Sequence, residues 1–233
     1  MFGKRKTRKN IRGGKDQYFH FRRADDPEFR YDGKLKSVRC QGTTRKGLPC
    51  KRNSVIGTPY CREHLRKIRK VSIRRSTIPN SGNGLFADEP GKLQSNGDIV
   101  FRRGDIITKY DGERMTKAEV DQRYGADDAV TGPYVVRVPV QGMRTAKRGR
   151  KRVQESYRTG WSYLDGATER GVGNLANMAM RNIDNNAKLD YEHADLVATR
   201  DILQGDEIFI DYGDEYRFDG PERYSTNFSK YHI

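Results

Sequence analysis

The stretch Gly205-Asp-Glu-Ile-Phe-Ile-Asp-Tyr-Gly213 governs the reading of the whole chain. Glycine opens a turn, an apolar run Ile208-Phe209-Ile210 lies between acids, and a second glycine follows Tyr212. A short β-prone run bounded in this way predicts a strand over Glu207–Asp211. Just upstream, Asp195-Leu-Val-Ala-Thr-Arg-Asp-Ile202 is a second strand candidate, joined to the first through a turn at Gln204-Gly205. Further out, Val71-Ser-Ile73, Gly104 to Tyr110, Pro133 to Pro139 and Trp161 to Asp165 carry the same β character. One helix is announced by a capping box, Thr116-Lys-Ala-Glu119, and should run to Tyr124. A second short helix is expected near Thr168–Met180. Many short strands, glycine-rich turns and few helices predict a mainly β protein built from several small sheets.

The chain has 233 residues and a hydrophobic fraction of 34%, low enough that part of it should pack poorly. No apolar run approaches the ~18 residues of a membrane span, so no membrane partner is expected. Met1–Lys15 is basic without an apolar stretch behind it, unlike a secretory signal. Residues 1–75 hold 24 Lys and Arg against 6 Asp and Glu, while the whole chain has a net charge of +15. The basic excess therefore sits in the N-terminal third, and residues 76–233 are slightly acidic. A cationic arm gains free energy by releasing counterions from a polyanion, which makes nucleic acid the expected partner of residues 1–75, with a merely solvated tail as the alternative. Residues 1–37 are expected to form a basic, largely disordered arm. Six of the nine residues from Arg144 to Arg152 are basic. They read as a solvated surface loop, or alternatively as a nuclear-import or polyanion-binding patch.

All three cysteines, Cys40, Cys50 and Cys61, fall within one short stretch. An odd number so placed excludes a disulfide framework and points to a reducing compartment. With His64 they form a C-x9-C-x10-C-x2-H set, and zinc favours four tetrahedral thiolate and imidazole ligands. Residues 38–68 are too few to bury much apolar surface, so a bound metal would supply most of the folding energy of such a module. The other reading is three reduced thiols in a loose basic segment.

From Val71 onward the sequence resembles the SET-domain protein lysine methyltransferases, including short ones of large DNA viruses. Ser81-Gly82-Asn83-Gly84-Leu-Phe-Ala87 is similar to the family's opening G-x-G segment. Gly104 to Glu113 resembles its strand ending in Tyr-x-Gly-Glu, and Tyr134-Val-Val looks like the strand whose Tyr flanks the cofactor. Gly171-Val-Gly-Asn-Leu-Ala-Asn177-Met178, followed by Asn185-Asn186, is similar to the G-x5-N-H-S…P-N block, with Met178 in place of His and Asn185 in place of Pro. A rival alignment starts at Gly173-Asn174 and sets Met180-Arg181 on the Asn-His pair. The stretch quoted first matches the G-[DE]-E-[IL]-x-x-[DS]-Y-G signature.

The resemblance implies a SET fold with its pseudoknot over residues 71–218 and S-adenosylmethionine as cofactor. It places the cofactor against Ser81, Gly82, Asn83, Gly84, Tyr134, Asn177, Met178 and Tyr212, with Tyr212 and Tyr110 as catalytic residues. The implied activity is methyl transfer to a lysine amine in a protein with a basic tail, a histone in first place, in the nucleus or on chromatin. Residues 219–233 are expected to form an aromatic tail, and Tyr216, Phe218, Tyr224 and Phe228 read either as a lid, by the resemblance, or as part of an ordinary exposed tail. Tyr163, by contrast, reads as an ordinary packed β residue. Two other functions stay open. One is a catalytically weak chromatin-binding module that keeps the fold. The other is a zinc-dependent nucleic-acid-binding protein acting through residues 1–70.

Overall fold

Short strands broken by glycine cannot build one broad sheet, and the described residues distribute them over five small ones. The computed structural model describes residues 17–22, 30–79, 81–125, 134–148 and 151–212. Strands β1 (Gln17–Arg22) and β2 (Arg30–Leu35) pair antiparallel. This ribbon replaces the disorder expected for that part of residues 1–37, and Leu35 at its end is 1% exposed. A helical turn α1 (Arg62–His64) runs into a π-helical turn, Leu65–Arg69. Lys70 then turns the chain with φ 54 into β3 (Val71–Arg75).

Strand β4 (Asn83–Ala87) lies between β3 and β13 (Glu207–Ile208). Strand β5 (Ile99–Phe101) pairs with β12 (Ile202–Leu203). A four-stranded sheet has the order β14 (Ile210–Asp211), β10 (Ala187–Asp190), β11 (Asp195–Ala198), β6 (Ile106–Lys109). The last sheet places β7 (Glu113–Met115) and β8 (Val135–Arg148) on either side of β9 (Lys151–Asp165). Helix α2 (Lys117–Tyr124) begins where the sequence announces it, with Thr116 and Glu119 closing both halves of the capping box. The protein is mainly β, built of several small sheets as the sequence predicts.

The stretch from Glu207 to Asp211 is one extended segment that changes partners midway. Ile208 and Ile210 are 0% and 2% exposed and anchor it in the main core with Leu85, Leu196 and Ile202. Burial of each such side chain contributes about 1.5–3 kcal/mol. Its first half pairs antiparallel with β4 and its second half parallel with β10. At the changeover Phe209 bridges Asn177, so the segment is threaded between three distant parts of the chain. Buried Asn186 substitutes for the missing ladder there. Its Nδ2 donates to the Glu207 carbonyl at 2.8 Å and its Oδ1 accepts from the Phe209 N–H at 2.9 Å.

Two expectations need correction. Thr168–Met180 does not form a helix; only a 3-10 turn, Gly173–Leu175, appears. Gly173 lies so close to β6 that an added Cβ would stand 2.6 Å from the Lys109 carbonyl oxygen, and a helix bearing side chains would not fit there. Of the basic stretch Arg144–Arg152, Arg144–Arg148 belongs to β8 and Lys151–Arg152 to β9, so these residues are strand and not the surface loop expected.

Candidate functional site

The turn at residues 81–83 is exposed, and Gly82 adopts φ +72, which favours glycine. The turn is tied down from both sides. Ser76 N–H donates to the Gly82 carbonyl at 2.9 Å, and Asn177 Nδ2 donates to the Asn83 carbonyl at 3.2 Å. The same Nδ2 reaches Glu207 Oε1 at 3.1 Å. Glu207 is buried and accepts three further hydrogen bonds, from Ser76 Oγ at 2.7 Å, Thr77 N–H at 2.7 Å and Thr77 Oγ1 at 2.5 Å. Gly84 lacks a side chain because of this carboxylate: an added Cβ would stand 2.0 Å from Glu207 Oε1. Sequence reasoning attributed Gly84 to close approach by a ligand and missed Glu207, whose partners lie 130 residues away. Gly84→Ala is expected to displace Glu207 and lower stability by about 1–3 kcal/mol, read as a drop of several degrees in the thermal midpoint. An unchanged midpoint would show that the carboxylate moves aside without cost.

Asn177 spends both its amide protons' direction on the turn and the carboxylate, while its Oδ1 accepts from no described residue. Its backbone carbonyl takes the Ile210 N–H at 2.9 Å. Met178 is half-buried beside it. Asn185 ties the two halves of this block together, its Oδ1 accepting from the Ala179 N–H at 2.9 Å. One short segment therefore fixes the glycine turn, Asn177 and Tyr212 relative to each other.

Tyr212 O–H donates to the Ala176 carbonyl at 2.9 Å, which holds its phenol beside the Asn177 segment. Tyr110 is buried, and its O–H donates to the Tyr134 carbonyl at 2.7 Å. Burial pushes the Tyr110 phenol well above its usual range, and the nearby Tyr212 phenol adds to the shift, so Tyr110 stays protonated. The Tyr134 ring carries the Arg170 guanidinium 4.3 Å from its centre, and burial raises its phenol too. Beneath them Asp165, 0% exposed, accepts from Arg123 at 2.7 Å, Tyr124 O–H at 2.8 Å and the Ala167 N–H at 2.8 Å. Neither Asp165 nor Arg170 stood out in the sequence. Tyr163 is packed with Met115, Val120 and Tyr124, as a β residue should be.

Residues 82–213, more than half of the chain, match the SET domain. The chain belongs to the SET-domain family. Among solved structures it is similar to the methyltransferase domain of human histone-lysine N-methyltransferase SETMAR, at 15% identity and a TM-score of 0.37 over 61% of this chain and 44% of that one. It is also similar to ctPRC2 in an autoinhibited conformation bound to S-adenosylmethionine, at 21% identity and a TM-score of 0.37 over 63% of this chain. The chain spans only 15% of that second structure's length. No curated protein matches the sequence.

Ahead of the SET domain, Cys40, Cys50, Cys61 and His64 are all buried, with ligand atoms within 4.8 Å of one another. A hairpin-like loop closes on itself through Cys40 N–H to the Arg52 carbonyl and Cys50 N–H to the Gly42 carbonyl, and this brings the first two cysteines together. Cys61 is the N-cap of α1 and His64 its last residue. His64 Nε2 lies 2.7 Å from the Thr43 carbonyl, a contact that requires the proton there and leaves Nδ1 as the lone-pair donor. Nδ1 is 3.2 Å from Cys40 Sγ and 3.3 Å from Cys61 Sγ. Gly42 is obligatory, since a Cβ would overlap the His64 ring at 2.5 Å. Burial pushes both thiols up. At Cys61 the His64 backbone N–H and the Cys40 side chain outweigh it and bring the thiol to about 7, whereas Cys40 stays raised. A buried, converging Cys3His set with an oriented imidazole fits tetrahedral zinc.

The aromatic tail with Tyr216, Phe218, Tyr224 and Phe228, the residues 1–15 and Gly213 lie outside the described residues.

Proposed function

We propose that this SET-domain protein is an S-adenosylmethionine-dependent protein lysine N-methyltransferase with a structural zinc in its N-terminal module. The observation that carries the reading is the junction of the glycine turn, Asn177 and the Tyr212 phenol on one threaded segment. The exposed turn at Ser81, Gly82 and Asn83, with Gly84 behind it, Met178, and the uncommitted Asn177 Oδ1 fit a ligand bearing an ammonium group. Tyr134 completes the set by resemblance. When bound, S-adenosylmethionine supplies an activated methyl group for transfer to a neutral amine. The chain's own contribution is to make and aim that amine. Burial among Tyr110, Tyr134 and Tyr212 disfavours a charged lysine and lowers its pKa, so the neutral nucleophile forms more readily. The Tyr212 oxygen, fixed by its bond to the Ala176 carbonyl, orients the amine. Alignment of this kind works chiefly by removing orientational entropy.

The acidic balance of residues 76–233 suits a basic peptide, and a histone tail is the substrate we propose, on chromatin. Calorimetric titration with S-adenosylmethionine, with Asn177→Ala as comparison, tests the site. The variant should bind about tenfold more weakly, or 1.4 kcal/mol. A radiolabelled methyl assay on histone mixtures and on non-histone proteins tests the activity. Met178 and Asn185, where the family's pattern has His and Pro, favour a second reading as a catalytically weak chromatin-binding module. Absence of heat on titration would select it.

A further inference from the structure

Beyond Pro139 and Trp161, β8 and β9 leave the body of the protein as a two-stranded ribbon. Strand β7 pairs with β9 only at residues 163–165, so no described strand supports the outer part. Isolated hairpins are marginal in water, and this one has little apolar packing to compensate. Its charge is also unlike that of its surroundings. Residues 141–158 hold seven Lys and Arg and one acid, although residues 76–233 as a whole are acidic.

The register sorts these charges by face. Directly opposed residues share a face, and the pairs Gln141↔Arg158, Thr145↔Gln154 and Lys147↔Arg152 alternate with Arg144↔Glu155 and Arg148↔Lys151. The only acid, Glu155, therefore lies on the second face, 3.7 Å from Arg144. The first face carries no carboxylate from Arg137 outward. A bulge at Thr159, between the pairs Val140↔Gly160 and Gln141↔Arg158, brings Arg158 onto the face of Trp161. The indole is 43% exposed, with Arg137 and Arg158 each 4.5 Å from its ring centre. On the second face Tyr157 covers Gly142, where a Cβ would meet its ring at 3.2 Å, and this stiffens the ribbon.

We propose that this first face binds double-stranded DNA by laying the ribbon in the major groove. A two-stranded ribbon fits that groove, which is about 12 Å wide, and the outer eight-residue pairing is about 26 Å long. Arg and Lys meet phosphates and guanine edges, while Gln and Thr suit the remaining base edges. Duplex RNA presents a deep, narrow major groove that excludes such a ribbon.

The chain holds a single tryptophan, so the native full-length protein reports on this face directly. Titration with a 20-base-pair DNA duplex at 100 mM salt should change Trp161 emission by about a fifth or more in parallel with binding measured by anisotropy. Binding without any emission change would place the DNA elsewhere, on residues 1–75, and overturn the proposal. Removing two charges from the first face, Arg152→Gln with Arg158→Gln, should weaken binding at least tenfold and flatten the logarithmic salt slope by about 1.8. Removing two from the second, Arg144→Gln with Lys151→Gln, should weaken it less than threefold. Equal losses, or an equal response to an RNA duplex, would each overturn it. The emission titration needs no variant, so misfolding of either double substitution leaves the test intact.

Discussion

Tyr212→Phe will slow single-turnover methyl transfer at least tenfold, equivalent to about 1.4 kcal/mol of barrier. The ring stays in the core against which Tyr212 packs, so the substitution removes only the hydroxyl that reaches Ala176. Losing that hydroxyl frees the ring's tilt and deprives the incoming amine of its oriented partner. The thermal midpoint should move by little, because one part-buried hydrogen bond is worth about 1 kcal/mol. The decisive comparison is rapid-quench transfer with saturating cofactor. A wild-type rate in the variant would mean that the phenol does not participate, and the proposed chemistry would fail with it. Tyr110→Phe provides a contrast. Its hydroxyl is committed to the Tyr134 carbonyl, so its loss disturbs the packing of Tyr110 against Tyr134 more than the proposed reacting geometry.

Stripping the proposed zinc from the N-terminal module, or Cys61→Ser, should unfold residues 38–68. Structural zinc in small modules contributes on the order of 10–16 kcal/mol, far more than such a segment gains from its own burial. The purified chain should carry one zinc per molecule, and Cys61→Ser should carry almost none. The effect will spread into the SET domain. Leu65 is fully buried in its main core, with Val55 and Tyr60 packed at the edge. Arg66 of the same helical turn holds Asp88 at 3.0 Å, and Asp88 also accepts from Gln204 Nε2. Hydrogen exchange should therefore show lost protection both in the module and around β3 and β4. Full zinc content and an unaltered melt in Cys61→Ser would contradict the assignment.

The sequence was most legible where local chemistry decides local structure. Thr116 and Glu119 specify the start of α2 without outside help, and the structure forms both of their reciprocal bonds. The cysteine set was legible because no other cysteine competes for the role. The family blocks placed the fold correctly because their residues meet at one threaded crossing. What escaped depended on distance or on the lack of an apolar face. The ribbon of β8 and β9 is solvated on both sides, so no alternation of polar and apolar residues marks it, and its charges read as a loop. The absence of a helix after Thr168 follows from contact between Gly173 and Lys109, which no local pattern encodes. Glu207 looked like one acid in a signature, while its hydroxyl and N–H partners sit at Ser76 and Thr77.

The threading of residues 207–212 also has a consequence for biogenesis. Glu207 and Ser76 are separated by 131 positions, and both the glycine turn and the Tyr212 phenol depend on that one segment for their placement. Contacts of such long range form late, after the loop-closure entropy has been met. A nascent chain can complete the Cys3His module and the early hairpins before residues 207–212 are made, yet the glycine turn, Asn177 and the Tyr212 phenol meet only when this segment docks. The proposed methyl-transfer site is thus assembled after the parts that flank it, by the docking of one strand.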